Sequence, residues 1–115
     1  MKILIIDDEQ LDLFINKKLL SLEFVAEGFT SHHDALAWAK QNTFDIVLID
    51  YYLAPNLYAH DVLKELVALK GNTFRAFVLS NYVDEKQSNA LLSAGFEDII
   101  AKPLTVELFK SKANI

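Results

Sequence analysis

The chain has 115 residues, just over half of them apolar, which is enough for one domain with one hydrophobic core. The absence of cysteine excludes disulfides and thiolate metal sites, and the formal net charge of −5 argues against direct nucleic-acid binding. No apolar run could span a bilayer and no basic-then-apolar leader opens the chain. We therefore expect a cytoplasmic protein without membrane contact, folded as a single domain over residues 1–115 with no output domain.

The chain opens with an apolar strand over residues 2–6, followed directly by the acids at 7–9. A helix comes next, and its apolar residues have the spacing of a buried helix face. We assign to that face Leu11, Phe14, Ile15, Leu19 and Leu22. We assign to the opposite, solvated face Asp12, Asn16 and Lys17.

A weaker strand and a second helix follow. Residues 25–30 contain Gly28, which weakens a strand interior, so this strand is predicted at a sheet edge. Ser31 and Asp34 have the spacing of a capping box that opens the second helix. The apolar run 44–50 is too short for a helix and stops at Asp50, which predicts a strand buried on both faces.

The second half of the chain repeats this alternation. After a loop containing Pro55, the pattern predicts a helix that ends near Gly71, with four inward residues: Val62, Leu63, Leu66 and Leu69. A strand over 76–79 ends at Ser80, and Asp84 caps a helix that Gly95 ends. A strand over 98–101 ends at Lys102-Pro103, and Thr105 caps a last helix. Five strands alternating with five helices predict an α/β fold, a doubly wound parallel sheet with helices on both faces.

Polar side chains follow the predicted strands at their carboxyl ends, which share one edge of a parallel sheet. Asp7 and Asp8 follow the first strand, Asp50 the third, Ser80 the fourth and Lys102 the fifth. Each of these residues alone could be a helix cap or an ordinary loop residue. Together, three carboxylates in one crevice need a counter-charge. Oxygen-only ligands indicate Mg²⁺ rather than zinc.

This set of residues supports phosphoryl transfer to Asp50. A carboxylate can act as the nucleophile and form an acyl phosphate. Because the transferred group has a loose transition state, positioning and charge neutralisation do most of the catalytic work. Mg²⁺ held by the three aspartates, the Lys102 ammonium and the Ser80 hydroxyl would each meet one phosphoryl oxygen.

At these positions the sequence resembles a receiver domain of the two-component response regulators, over essentially the whole chain. The resemblance rests on residues 5–9, 46–50, 78–80, 94–95 and 102–103. It implies a flavodoxin-like five-stranded sheet of order 2-1-3-4-5. It also implies a phospho-acceptor signalling switch that assists its own phosphorylation and dephosphorylation but is not otherwise an enzyme.

The resemblance assigns roles at the acidic site. Asp50 would accept a phosphoryl group from the phosphohistidine of a sensor histidine kinase or a histidine phosphotransfer protein. Mg²⁺ would be bound by Asp8, Asp50 and the backbone carbonyl of Tyr52, with Asp7 holding a metal-bound water.

The resemblance also implies how the phosphorylated state is read. Ser80 and Lys102 would respond to the phosphoryl group. The kinase-side partner would dock over the first helix and the loop after the fifth strand, near Leu11, Pro103 and Leu104. The output face would be the fourth helix, fifth strand and fifth helix, acting on a downstream protein.

Several positions depart from the family pattern. Ile99 stands where an aromatic switch residue is usual, which weakens its expected coupling to Ser80, and Asn81 stands where a small residue is usual. In the loop after the expected acceptor aspartate, Pro55 comes one residue later than the family's usual proline, and Ala59 stands where the family usually has glycine. This loop is therefore expected to be one residue longer than in the family.

Aromatic residues flank the predicted acceptor. Tyr52 and Tyr82 occupy the two variable positions on either side of it, and we expect their rings to slow hydrolysis of the acyl phosphate. Tyr82, together with Ile99 and Leu104, could also belong to an apolar partner surface.

Three other functions fit parts of the sequence. A haloacid dehalogenase type of hydrolase needs a second aspartate where Tyr52 stands, and the chain has no room for a cap domain. A dinucleotide or flavin site is disfavoured because the acids after the first strand repel phosphate. The remaining alternative is a pseudo-receiver, an interaction module that is not controlled by phosphorylation.

Overall fold

The structure, a computed structural model, describes residues 1–82 and 84–115. Five parallel strands form the central sheet: β1 (Lys2–Ile6), β2 (Val25–Phe29), β3 (Ile46–Asp50), β6 (Arg75–Ser80) and β7 (Asp98–Ala101). Two short antiparallel strands, β4 (Tyr52–Ala54) and β5 (Leu57–Tyr58), form a separate hairpin. The central order β2-β1-β3-β6-β7 confirms the predicted order 2-1-3-4-5.

Five helices cover the sheet: α1 (Gln10–Leu20), α2 (His32–Gln41), α3 (Ala59–Lys70), α4 (Glu85–Ala94) and α5 (Val106–Ala113). Within the described ranges, the helices are too short or too polar to cross a membrane. Two predicted N-caps are confirmed, because Ser31 accepts a hydrogen bond from the Asp34 amide and Thr105 accepts one from the Leu108 amide.

The strands alternate between two cores because successive side chains point to opposite faces. In β1, Leu4 and Ile6 join the core beneath α2, α3 and α4. Ile3 and Ile5 join the core beneath α1 and α5. β3 lies at the centre of the sheet, and its residues Ile46 to Ile49 are fully buried, as its unbroken apolar run predicts.

Helix α1 is rotated relative to the sequence prediction. Four residues assigned to its buried face are at least half exposed: Leu11, Phe14, Ile15 and Leu22. Asn16, which was assigned to the solvated face, is instead buried at 7% exposure, and Leu20 is fully buried. The prediction was wrong because α1 carries two apolar stripes, and the other stripe, through Leu13 and Leu20, packs on the sheet.

The segment after Asp50 is more ordered than the predicted loop. Tyr52 pairs with Tyr58 in the β4–β5 hairpin. Asn56 makes the turn with φ 62°, a left-handed conformation that asparagine tolerates. His60 lies in the first turn of α3, stacked on Tyr58.

Helix α4 begins and ends as the sequence predicts. Asp84 and Gln87 form a reciprocal capping box, in which each side chain accepts the other residue's amide. Gly95 ends the helix with φ 118°, a conformation that a side chain would strain. In α3, Leu69 is 41% exposed rather than inward, while the other three predicted residues are buried.

Candidate functional site

Acidic side chains meet at the carboxyl edge of the sheet, because β1 and β3 are hydrogen-bonded neighbours. Oxygen atoms of Asp7, Asp8 and Asp50 all lie within 4.8 Å of one another. Lys102, directly after β7, places its Nζ 2.8 Å from Asp50 Oδ1 and 3.7 Å from Asp7 Oδ2. The structure therefore brings the first, third and fifth strand ends of the sequence prediction into one cluster.

Asp7 is fully buried, and its two oxygens have different surroundings. Oδ1 accepts a hydrogen bond from the Glu9 amide at 2.9 Å, whereas Oδ2 has no hydrogen-bond partner among the described residues. Burial raises the pKa of Asp7 to about 6, and the charge of Asp50 adds to the rise, while the Glu9 hydrogen bond opposes it. The negative charge of Asp7 is therefore only partly compensated by its neighbours, and a bound cation would compensate it further.

Asp50 and Lys102 form the closest ion pair of the cluster. Burial raises the pKa of Asp50 above its usual value, although the Lys102 hydrogen bond works in the opposite direction. Burial also lowers the pKa of Lys102, but the hydrogen bond to Asp50 and the surrounding carboxylates outweigh it, so the pKa of Lys102 is raised. The lysine therefore stays charged and faces Asp50.

The donor set fits a hard divalent cation. Three carboxylates from two adjacent strand ends converge, and an oxygen of the most buried one is unpaired among the residues described. Tyr52 lines the same hollow of about 460 Å³ as Asp8 and Asp50. Oxygen ligands of this kind suit Mg²⁺.

Ser80 lies at the end of β6 but does not point its hydroxyl at Asp50. The hydroxyl donates to the Tyr82 carbonyl at 3.1 Å, two residues along the same loop. Asn81 and Tyr82 line the hollow, and the Tyr82 side chain is 79% exposed. The hydroxyl is thus held by the β6–α4 loop in this structure.

The remaining predicted positions lie farther from the carboxylates. Ile99 is half-buried in β7, paired with Val78. Pro103 follows Lys102 through a cis peptide bond and lines a second hollow. Leu104 is buried in the core beneath α5, which corrects its assignment to an exposed partner surface.

Sequence reasoning missed two contacts at this edge. Asp12 was assigned to the solvated face of α1, but its Oδ2 lies 3.7 Å from Lys102 Nζ. The sequence signal for Asp12 is its place in the first turn of a helix that starts at this sheet edge, but that place does not fix which way the residue faces. In the second contact, Gln87 Nε2 of α4 donates to the Tyr51 hydroxyl at 3.2 Å, beside Asp50.

Comparison with protein families places this geometry in a known context. The model of the response regulator receiver domain matches residues 3–114. The two-component response regulator ORR2 of Oryza sativa subsp. indica is 38% identical over 71 residues, which cover 61% of this chain and 28% of that protein. The chain therefore corresponds to only part of that relative.

Solved structures share the fold. A response regulator receiver domain from Clostridium thermocellum is 25% identical, with a TM-score of 0.85 over 98% of this chain and 90% of that one. A response regulator protein from Burkholderia pseudomallei is 21% identical, with a TM-score of 0.84 over 96% of this chain and 65% of that one. The second likeness supports the fold alone.

Proposed function

Because the chain belongs to the response regulator receiver domain family, we propose that Asp50 accepts a phosphoryl group from a phosphohistidine, with Mg²⁺ as cofactor. The chain is a signalling module of a two-component system rather than a true enzyme, and such a system implies a histidine kinase or phosphotransfer partner. The observation that carries the proposal is the cluster of three carboxylates with Lys102 Nζ 2.8 Å from Asp50.

The acceptor chemistry follows from the surroundings of Asp50. Its Oδ1 is already paired with Lys102, so the ammonium is in place to meet a phosphoryl oxygen. As an Asp50 oxygen attacks phosphorus, the phosphorus–nitrogen bond to the donor histidine breaks and the imidazole leaves. A cation held by Asp7, Asp8, Asp50 and the Tyr52 carbonyl would neutralise phosphoryl charge when bound. A solved Burkholderia relative is described with a phosphorylated aspartic acid and a calcium ion, which is consistent with this role.

The proposed switch involves Ser80. Its hydroxyl donates to the Tyr82 carbonyl before phosphorylation, so it must leave that bond to donate to a phosphoryl oxygen at Asp50. The Tyr82 carbonyl then needs a new hydrogen-bond donor, so Asn81 and Tyr82 shift when the Ser80 hydroxyl moves. A phosphoryl group on Asp50 would in this way change the surface around Tyr82.

The phospho-donor partner would dock on α1. The exposed stripe of Leu11, Phe14 and Ile15 runs from the site edge along this helix. Lys17 and Lys18 flank the stripe, which suits an apolar helical surface with an acidic rim. The rotation of α1 thus supplies the exposed apolar area that a docking surface requires.

Mass spectrometry after incubation with Mg²⁺ and acetyl phosphate tests the acceptor role. We expect the wild-type chain to gain the mass of one phosphoryl group, and Asp50→Asn to gain none. Asp34→Asn, an exposed aspartate in α2, serves as the matched control and should be modified like wild type.

An unmodified wild-type mass, or equal modification of Asp50→Asn, would contradict the proposal. It would instead favour the pseudo-receiver function, in which the fold acts as an interaction module. Removal of Mg²⁺ with a chelator should abolish the modification, since the carboxylate cluster would then repel an anionic donor.

A further inference from the structure

We propose that Asp12 is a positioning residue that competes with the phosphoryl group for the Lys102 ammonium and so slows phosphorylation. The inference rests on the proposed acceptor function of Asp50. Through Asp12, helix α1 then influences the chemistry of the site as well as carrying the proposed docking surface.

The geometry places Lys102 between two carboxylates of different kinds. Its Nζ lies 2.8 Å from Asp50 Oδ1 on the inner side and 3.7 Å from Asp12 Oδ2 on the outer side. The Asp50 side chain is 14% exposed, whereas that of Asp12 is 44% exposed. The ammonium therefore has one buried and one solvated counter-ion.

Two neighbouring hollows meet at this lysine. The larger hollow lies over Asp50 and Ser80. The smaller, of about 280 Å³, lies between α1 and the β7–α5 loop and is lined by Asn16 and Pro103. Lys102 and Asp12 line both, so the ammonium has open space towards Asp12 as well as towards the acceptor.

Asp12 differs from the other carboxylates because it lies outside the cluster that could share a cation. Among the described residues, the carboxylates close enough to share an ion are Asp7, Asp8 and Asp50. When that cation is bound, it neutralises part of the charge that draws Lys102 inward. Asp12 keeps its full charge and becomes the stronger remaining competitor for the ammonium.

The competition has a defined direction. An incoming phosphoryl group needs Lys102 turned inward, as it is in this structure, whereas the Asp12 charge attracts the ammonium outward and repels the anionic donor. Because the Asp12 carboxylate is 44% exposed, the expected effect is that of a partly solvated ion pair, about two- to five-fold in rate.

The test measures the initial rate of phosphorylation by acetyl phosphate at saturating Mg²⁺, followed by mass spectrometry. Asp12→Asn should react about two- to five-fold faster than wild type, and high salt should shrink the difference. Asp12→Glu keeps the charge and should return to the wild-type rate. Asp34→Asn removes the same charge from an exposed position outside the carboxylate cluster and should match wild type.

A rate for Asp12→Asn equal to or below wild type would overturn the inference. So would an increase in Asp12→Glu, or an equal increase in Asp34→Asn, because the effect would then not come from the charge beside Lys102. If wild type gains no phosphoryl group at all, the proposed acceptor function fails and this inference fails with it. Normal wild-type phosphorylation with no Asp12 effect overturns the inference alone.

Discussion

At the scale of single residues, Asp7 has the most demanding environment. Its side chain is fully buried, one oxygen is unpaired within the described part of the chain, and its pKa is raised to about 6. A carboxylate whose pKa lies this close to neutral pH can bind either a proton or a cation, but not both at once. If Asp7 helps to hold Mg²⁺, as proposed, it therefore makes Mg²⁺ binding depend on pH.

We predict that the Mg²⁺ dissociation constant rises as the pH falls through about 6. Below this value a proton on Asp7 must leave before the cation binds, so the constant should increase about tenfold per pH unit. The raised pKa of Asp50 acts in the same direction. Isothermal titration calorimetry at pH 8, 7, 6 and 5 measures the Mg²⁺ dissociation constant, and equal dissociation constants at pH 8 and pH 5 would contradict the prediction.

At the scale of elements, the sequence predicted the sheet better than it predicted α1. A strand such as β3 is buried on both faces, so its short unbroken apolar run indicates a central strand whichever way its side chains point. Helix α1 carries one stripe through Leu13 and Leu20 and another through Leu11 and Phe14. Helical spacing identifies both but does not show which one faces the sheet.

Tertiary contacts decide between the two stripes. Gly28 in β2 leaves room for Leu13, and a Cβ atom at Gly28 would lie 2.5 Å from Leu13 Cδ1. The sequence prediction used Gly28 only to place β2 at the sheet edge, which the strand order confirms. The site was predictable because strand ends of a parallel sheet share one edge, whereas Asp12 depended on the rotation of α1.

The two stripes of α1 should respond differently to substitution. Leu20→Ala opens a cavity in the core and should lower the free energy of unfolding by about 2–5 kcal/mol. Phe14→Ser replaces an exposed ring and should change it by less than about 0.5 kcal/mol.

Urea denaturation measures both variants. Phe14→Ser should at the same time weaken phosphotransfer from the kinase-side partner while leaving phosphorylation by acetyl phosphate unchanged. A large loss of stability in Phe14→Ser, or none in Leu20→Ala, would show that the burial assigned to α1 is incorrect.

At the scale of the whole molecule, the cluster couples folding to cation binding. Three carboxylates from two separate segments come together only in the folded chain, so a cation bound there would stabilise that state by mass action. Without it, the like charges are offset mainly by Lys102. The metal-free protein therefore keeps an electrostatic strain at one edge of its sheet.

We predict that millimolar Mg²⁺ raises the melting temperature of the wild-type chain. Asp8→Asn should reduce this shift, because it removes one of the three clustered carboxylates. Asp34→Asn should retain the full shift. Differential scanning calorimetry with Mg²⁺ and with chelator gives the comparison, and an equal shift in Asp8→Asn would argue against a cation at this cluster.

The β4–β5 hairpin has a consequence for how the cation is received. Tyr52 is already fixed by its pairing with Tyr58, so its backbone carbonyl occupies a set position before any ion arrives. Freezing a free residue costs about 1–2 kcal/mol in conformational entropy. That loss is incurred when the chain folds, so a cation bound as proposed would meet a preformed rim, and its binding would require little rearrangement of this segment.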